Sequence, residues 1–397
     1  YHLLWTCHHL ISDGWSSARQ VGEVLALYRG ETLPAQFGQY RDYINWLQTR
    51  DAAAGERFWR ERLVSLDEPT LLAGALGHAA AEPAREVHGR LSAELTRGLQ
   101  QFAQAQRVTL NTLLQGAWLL LLQRYTGQAR PCFGATVAGR PAELPSAQSL
   151  LGLFINTLPI AHEIQPQWAV GDWLRDLQAL NLHVREFEHS PLHDIQRWAG
   201  KPGQALFDSI LVFENFPMDS ALAGGGDSLR VLGQRPVEST HFALALVASA
   251  DECLDIRYAY RADRLASSQV ERLREHFERL LLAMAESAER RLGDLSMLAG
   301  AEREQLLGGW NATEAAFPDG VQLQALLQQQ AAQTPDALAL QFGAQRLSYR
   351  ELHQRANQLA RWLRAQGVGP DVLVGVAAER SVELVVALLA IVKAGGA

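Results

Sequence analysis

The chain has 397 residues, 48% of them hydrophobic and 20% charged, with a formal net charge of −7. Such a size and apolar content suit two or three globular domains of ordinary size. Lys and Arg are scattered without a run, which argues against a surface that tracks nucleic-acid phosphates. Cys7, Cys132 and Cys253 stand far apart, so neither a disulfide framework nor a Cys-x-x-Cys metal knuckle is expected, and a reducing cytoplasm is the plain reading.

The opening "YHLLWTCHHL" has no initiator Met and no basic leader region, so it is not a signal peptide. Residues 1–9 alternate as a strand does, with Tyr1, Leu3, Trp5, Cys7 and His9 on one face and His2, Leu4, Thr6 and His8 on the other. "SDGWSSARQVGEVLALYRG" predicts a turn, an N-cap at Ser12 or Asp13, a helix and a stop at Gly30. "YRDYINWLQTR" and "GERFWRERLVSL" predict two further helices whose aromatics serve packing. Residues 65–86 show little periodicity and read as a bridge.

A second body starts near 87. It offers two helices ("LSAELTRGLQQFAQAQ" and the very apolar "TLNTLLQGAWLLLLQRYTG"), a strand "ARPCFGATVAGR" ending on Arg140, and a strand in "LFINTLPIAHEI". A long helix, a third strand "FDSILVFENFP", a loop "ALAGGGDS", a hairpin turning at "SADE" and a Ser-capped helix "SSQVERLREHFERLLLAMAESAER" complete it. Composition shifts at 297–320, where Gly pairs, Asn-Ala-Thr and Pro-Asp-Gly mark a linker. The tail then alternates helix, short strands, helix, strand, helix, as the start of an α/β domain does. Its last apolar run is broken by Lys393 and falls short of the roughly 20 residues a membrane span needs. The fold class is thus mixed α/β (α+β). Both ends read as interior sequence, and a fragment of a longer chain is expected.

The chemistry concentrates in "HHLISDG". Strand neighbours point to opposite faces, so His8 and His9 cannot act together on one substrate. Asp13 follows a short turn and can fold back to meet an imidazole or a cation. Gly14 allows close backbone approach at a helix start, where negative charge is favoured. An imidazole with an ordinary pKa near 6.5 holds or moves a proton at neutral pH, and a helix-start amide can help a developing oxyanion. No activated Ser or Cys stands beside them. The set therefore suits acyl transfer directly to an incoming nucleophile, without a covalent enzyme intermediate. A metal site is disfavoured because His8 and His9 face apart and because Pro191 separates His189 from His193 without an evident third ligand.

"HHLISDG" resembles the HHxxxDG signature of nonribosomal peptide synthetase condensation domains, within the chloramphenicol-acetyltransferase-like superfamily. "YRDYINWLQ", "LLGLFINTLPI" and "LFDSILVFENFP" resemble further blocks of that family in the right order. "LSYRELHQRANQLARWLRAQGVGPDVLVGV" and "IVKAGGA" are similar to the opening of an AMP-forming adenylation domain. The resemblance implies a two-lobed condensation domain with its site in a tunnel between the lobes. Residues 1–70 would be the rest of the N-terminal lobe, 87–297 the C-terminal lobe, 298–320 a linker and 321–397 a truncated adenylation start.

The same resemblance implies amide formation, the acceptor's amine attacking the donor's thioester. Upstream and downstream carrier domains would deliver both on phosphopantetheine arms. His9 would be catalytic, as base or as positioner, with Gly14 beside it. Asp13 would be structural, paired with Arg140 of the other lobe, with His8 and Asn215 in support. No cofactor is expected in the chain itself; ATP and magnesium would serve the complete adenylation domain. No membrane partner is expected. "HSPLHDIQRWAG" departs from the family's His-x-x-x-P-F block, and no Ser/Thr/Gly-rich phosphate loop is present. "GLFINTLP" and "LFDSILVFENFP" look most like the subfamily joining a D-configured donor to an L-configured acceptor. An epimerisation domain and a non-catalytic carrier-docking platform are the rival readings; a heterocyclisation domain would carry aspartates where His8 and His9 stand.

Overall fold

A computed structural model describes residues 3–33, 38–77, 85–144, 147–214, 240–316 and 320–397. The chain divides into two units, Tyr1–Arg303 and Glu304–Ala397.

The first unit is built on a six-stranded sheet of order β1-β6-β5-β4-β2-β3. Its strands are β1 (Arg85–Leu91), β2 (Cys132–Val137), β3 (Asn156–Ala161), β4 (Ser209–Glu214), β5 (Leu244–Ala250) and β6 (Leu254–Tyr260). β4 runs parallel to both β2 and β5, and the other pairings are antiparallel. The expected hairpin is present, Leu244 facing Tyr260 across β5 and β6. The helices are α1 (Gly14–Tyr28), α2 (Tyr40–Gln48), α3 (Ala52–Leu63), α4 (Leu72–Leu76), α5 (Ala93–Ala105), α6 (Leu110–Thr126), α7 (Val170–Glu186), α8 (Leu192–Trp198) and α9 (Ser267–Glu286).

α6 is the hub because its sequence is apolar all round, which only a buried helix tolerates. Every residue from 112 to 122 is buried. Thr109 caps it by accepting from the Thr112 amide, and Gly127 ends it in the left-handed region. α6 packs against α7, α9 and α5. Beyond the core, the end of α6 and α9 share a polar chain. Tyr125 Oη lies 2.8 Å from His276 Nδ1, and His276 Nε2 lies 2.8 Å from Glu302 Oε2, which ties helix Gly300–Glu304 to the domain.

Several expectations for this unit need correction. Residues 3–8 form no ladder, because no strand lies beside them among the described residues, and Leu3 and Leu4 stand exposed. The strand expected to end on Arg140 stops at Val137, since Gly139 turns into the left-handed region at φ +62°. The described first part of the expected 65–86 bridge, residues 65–77, is anchored. The Asp208 carboxylate accepts from the Leu72 and Ala73 amides at 2.8 and 2.9 Å and so caps α4. At α9 the N-cap is Ala266 rather than a Ser, and the Gln269 side chain accepts from the Ala266 amide. The loop "ALAGGGDS" lies outside the described residues.

The second unit holds helix Leu323–Gln333, a two-stranded ladder of Leu338–Phe342 and Gln345–Ser348, helix Tyr349–Ala365 and helix Val382–Ala394. Ser348 and Glu351 form a reciprocal cap on the second of these helices. The strand expected between the last two helices is not a ladder. It makes two backbone hydrogen bonds with Ala397, through Val374 N and Val372 O.

His162, just after β3, stacks on Trp173 with ring centroids 5.8 Å apart. Burial pushes its pKa down from 6.5 to about 4. The folded ring therefore stays neutral between those values while the unfolded ring takes up a proton, so stability is lost as pH falls through this window. His162→Phe should flatten that loss: between pH 7 and pH 4 the variant should gain about 3 kcal/mol on the parent chain, read by urea unfolding. Parallel pH curves for the two chains would contradict this.

Candidate functional site

Asp13 is the N-cap of α1, as the sequence allows, and Gly14 is its first residue. Asp13 Oδ1 accepts from the Ser16 amide at 2.8 Å, the cap bond that starts the helix. The carboxylate is fully enclosed, with a side-chain exposure of 0% against 1% for its partner Arg140. Arg140 Nη2 donates to Asp13 Oδ1 and Oδ2 at 3.0 and 3.3 Å, and the Phe154 amide donates to Oδ2 at 3.1 Å.

Desolvating such a pair is expensive unless the remaining lone pairs and protons are also met. Here they largely are. Arg140 Nη1 donates to the Ala147 and Leu150 carbonyls at 2.6 and 2.9 Å, and Nη2 also reaches Ser16 Oγ at 3.2 Å. The guanidinium lies over the Phe154 ring, 4.2 Å from its centroid. Ser16 Oγ donates to the Gly152 carbonyl at 2.9 Å and accepts from the Gly152 amide at 3.1 Å. Arg140 Nε has no hydrogen-bond partner among the described residues.

Two glycines make this closeness possible. A Cβ on Gly139 would sit 1.8 Å from the Phe154 carbonyl oxygen, and one on Gly152 would sit 2.1 Å from the Tyr40 ring. Tyr40 donates its hydroxyl to the Leu153 carbonyl at 2.6 Å. Around Phe154 the α2 aromatics continue the packing. Tyr43 lies 4.5 Å from Phe154, Trp46 stacks on Tyr43, and His189 meets Trp46 edge-on. Burial pushes the Tyr43 phenol up to about 12, and burial followed by Arg50 pushes the His189 pKa down.

His9 lies in a turn ahead of α1 and is exposed. Its Nδ1 is 3.2 Å from the Ser12 carbonyl oxygen. A carbonyl oxygen accepts, so Nδ1 carries the hydrogen. In the neutral ring the lone pair is then on Nε2, which has no hydrogen-bond partner among the described residues. His8 turns to its own loop instead, its Nδ1 accepting from the Leu10 amide at 3.0 Å.

The two imidazoles are thus separated by turn hydrogen bonds rather than by the faces of a strand. The described residues do not close a tunnel around His9, since the outer side of 3–11 is uncovered. Asn215 lies outside the described residues. The sequence reading missed Ser16, Gly152 and Phe154. The Asp13–Ser16 spacing of a cap was the one local signal for Ser16. No group of three or more His, Cys, Asp or Glu that could hold a metal is present among the described residues.

Removing one member of the enclosed pair strands the other. Asp13→Ala or Arg140→Ala should each destabilise the domain by about 3–5 kcal/mol. Asp13→Leu with Arg140→Met should cost less than the sum of the single changes, as measured by urea unfolding. Strict additivity would show that the two side chains are not coupled.

Residues 1–307 match the family model "Condensation domain", and residues 327–397 match that of the "AMP-binding enzyme". One component of the linear gramicidin synthase of Brevibacillus parabrevis is 40% identical over 409 residues, covering 100% of this chain and 8% of the relative. Chondramide synthase cmdD of Chondromyces crocatus is 39% identical over 428 residues, covering 100% and 11%. The chain thus spans a small part of these relatives. Among solved structures, the nonribosomal peptide synthetase FmoA3 is similar with a TM-score of 0.77 at 23% identity, over 97% of this chain and 42% of that one. The first condensation domain of the calcium-dependent antibiotic synthetase gives 0.59 at 18%, over 74% and 66%. These likenesses show a common fold. The chain belongs to the condensation-domain family, with the opening of an AMP-binding enzyme domain behind it.

Proposed function

We propose that this chain forms peptide bonds in nonribosomal peptide synthesis. The amine of an acceptor aminoacyl thioester attacks the carbonyl of a donor thioester. A C–N bond forms, the C–S bond breaks, and the thiol of the donor's carrier arm leaves. The nitrogen must shed a proton along the way. The observation that carries this reading is the His9 imidazole, whose Nδ1 hydrogen is held by Ser12 and whose Nε2 lone pair has no partner among the described residues. Such a ring can hold the acceptor amine by hydrogen bonding and receive its proton.

In this reading Asp13 and Arg140 do not touch the reacting atoms. They fix the turn that presents His9, and Gly14 opens the helix beneath it. An amine near the ~7.7–8.0 of a chain terminus is already partly neutral, so orientation carries much of the work. His8 and Asn215 remain supporting residues in the proposal. Carrier domains on either side would deliver both thioesters on phosphopantetheine arms, within a cytoplasmic synthetase. The resemblance of "GLFINTLP" supports a D-configured donor and an L-configured acceptor. ATP and magnesium would serve the complete adenylation domain, and no step here runs through them. No helix among the described residues is long and apolar enough to cross a membrane.

The test is His9→Ala in the complete synthetase, with the dipeptide on the downstream carrier followed by mass spectrometry. Its rate of formation should drop by about 100-fold or more, the usual range for a lost proton-handling group. An unchanged rate would remove His9 from the chemistry.

A further inference from the structure

The groups that meet Asp13 leave the sheet from a single rung. Val137 and Asn156 are the last pair of the β2–β3 ladder. Beyond that pair β2 runs on through Gly139 to Arg140, which binds the Asp13 carboxylate. On the other side the chain enters β3 from Phe154, whose amide donates to Asp13 Oδ2 at 3.1 Å. β3 is the end strand of the sheet, so no further strand among the described residues braces that rung from outside.

The Asn156 side chain supplies a brace instead. Its Nδ2 donates to the Glu188 carbonyl at 2.9 Å and to the Ser190 carbonyl at 2.7 Å, and its Oδ1 accepts from the Thr157 amide at 2.9 Å. Two carbonyls accept and one amide donates, so the orientation of the side-chain amide is fixed and both of its N–H donors are used. The segment that Asn156 grips joins α7 to α8 and is itself held. The Ser190 amide donates to the Phe187 carbonyl at 3.0 Å, and Phe187 stacks on Phe58 of α3 with centroids 4.4 Å apart. Ser190 is buried. An Ala at 156 would leave both carbonyls without this donor, and an ionised Asp would set a carboxylate against them.

We infer that Asn156 is a positioning residue for the peptide-bond chemistry proposed at His9, on which this inference rests: it bolts the end of the β2–β3 ladder to the α7–α8 turn and so holds Arg140 and the Phe154 amide where Asp13 needs them. Asn156 touches none of the reacting atoms. Its effect passes to His9 through three steps: Arg140 and the Phe154 amide on Asp13, the Asp13 cap on α1, and the Ser12 carbonyl on His9 Nδ1. The contacts of Arg140 Nη2 and the Phe154 amide with Asp13 already lie at 3.0 to 3.3 Å. A shift of the rung by a few tenths of an ångström therefore weakens them.

In the chain carrying isotope-labelled histidine nitrogens, Asn156→Ala should weaken the preference of the His9 hydrogen for Nδ1. In the complete synthetase the single-turnover rate of dipeptide formation should fall by about tenfold, as small misplacements cause, while aminoacyl loading of the downstream carrier stays as in the parent. Asn156→Asp, which keeps the shape and loses both donors, is the second variant, and circular dichroism shows that each folds. Thr96→Val is the control. It removes the α5 hydroxyl that accepts from the Leu254 amide at 2.8 Å, so it destabilises the same unit without entering the Asp13 network, and it should leave the His9 spectrum and the rate unchanged. An unaltered His9 spectrum in the Asn156 variants, the same alteration in Thr96→Val, or an undiminished rate where His9→Ala is slow would overturn the positioning role. The spectrum is read without turnover, so full activity of His9→Ala would count against the reaction at His9 and leave the spectrum to decide on Asn156.

Discussion

The buried contact between Asp13 and Arg140 is the constraint on which the rest of this site is built. It joins residues 127 positions apart and puts two opposite charges where water does not reach. A pair in that position is stabilising only when its surroundings complete it. The surroundings here are specific: the cap amide of Ser16, the amide of Phe154, two loop carbonyls and the face of a phenyl ring. One carboxylate therefore does two jobs. It starts α1 and it fastens the 147–154 loop to that start.

The consequence for chemistry runs through the turn just upstream. With Asp13 fixed as the cap, the chain from His9 to Ser12 closes back on itself, and the Ser12 carbonyl is left to hold His9 Nδ1. That selects the tautomer whose outer nitrogen accepts. A side chain that is itself exposed is thus oriented by one that is wholly enclosed. Gly139 and Gly152 serve the same end, since a side chain at either would push the loop away from the cap.

Much of the fold was legible from local pattern. The mostly apolar run 112–122, the cap at Asp13, the stop at Gly30 and the β5–β6 hairpin all follow from neighbouring residues. What escaped depends on partners far along the chain. Nothing around Leu72 hints that Asp208 will cap the helix there, and nothing in "YHLLWTCHHL" says whether a strand will lie beside it. Arg140 emerged as the partner of Asp13 from family resemblance alone; its local sequence suggested the end of a strand. Ser16, Gly152 and Phe154 went unnoticed because their roles exist only once the cap and the loop meet.

The link from the buried pair to His9 is tested most directly by the protonation pattern of the His9 ring. In the chain carrying isotope-labelled histidine nitrogens, with the signal identified by its loss in a His9 variant, nitrogen NMR reports directly which ring nitrogen carries hydrogen. Hydrogen on Nδ1 at neutral pH is expected in the intact chain, with loss of that preference when Asp13 is replaced by Ala. Hydrogen on Nε2 in the intact chain, or an unaltered spectrum after the Asp13 change, would contradict the claim that the buried pair sets the His9 imidazole.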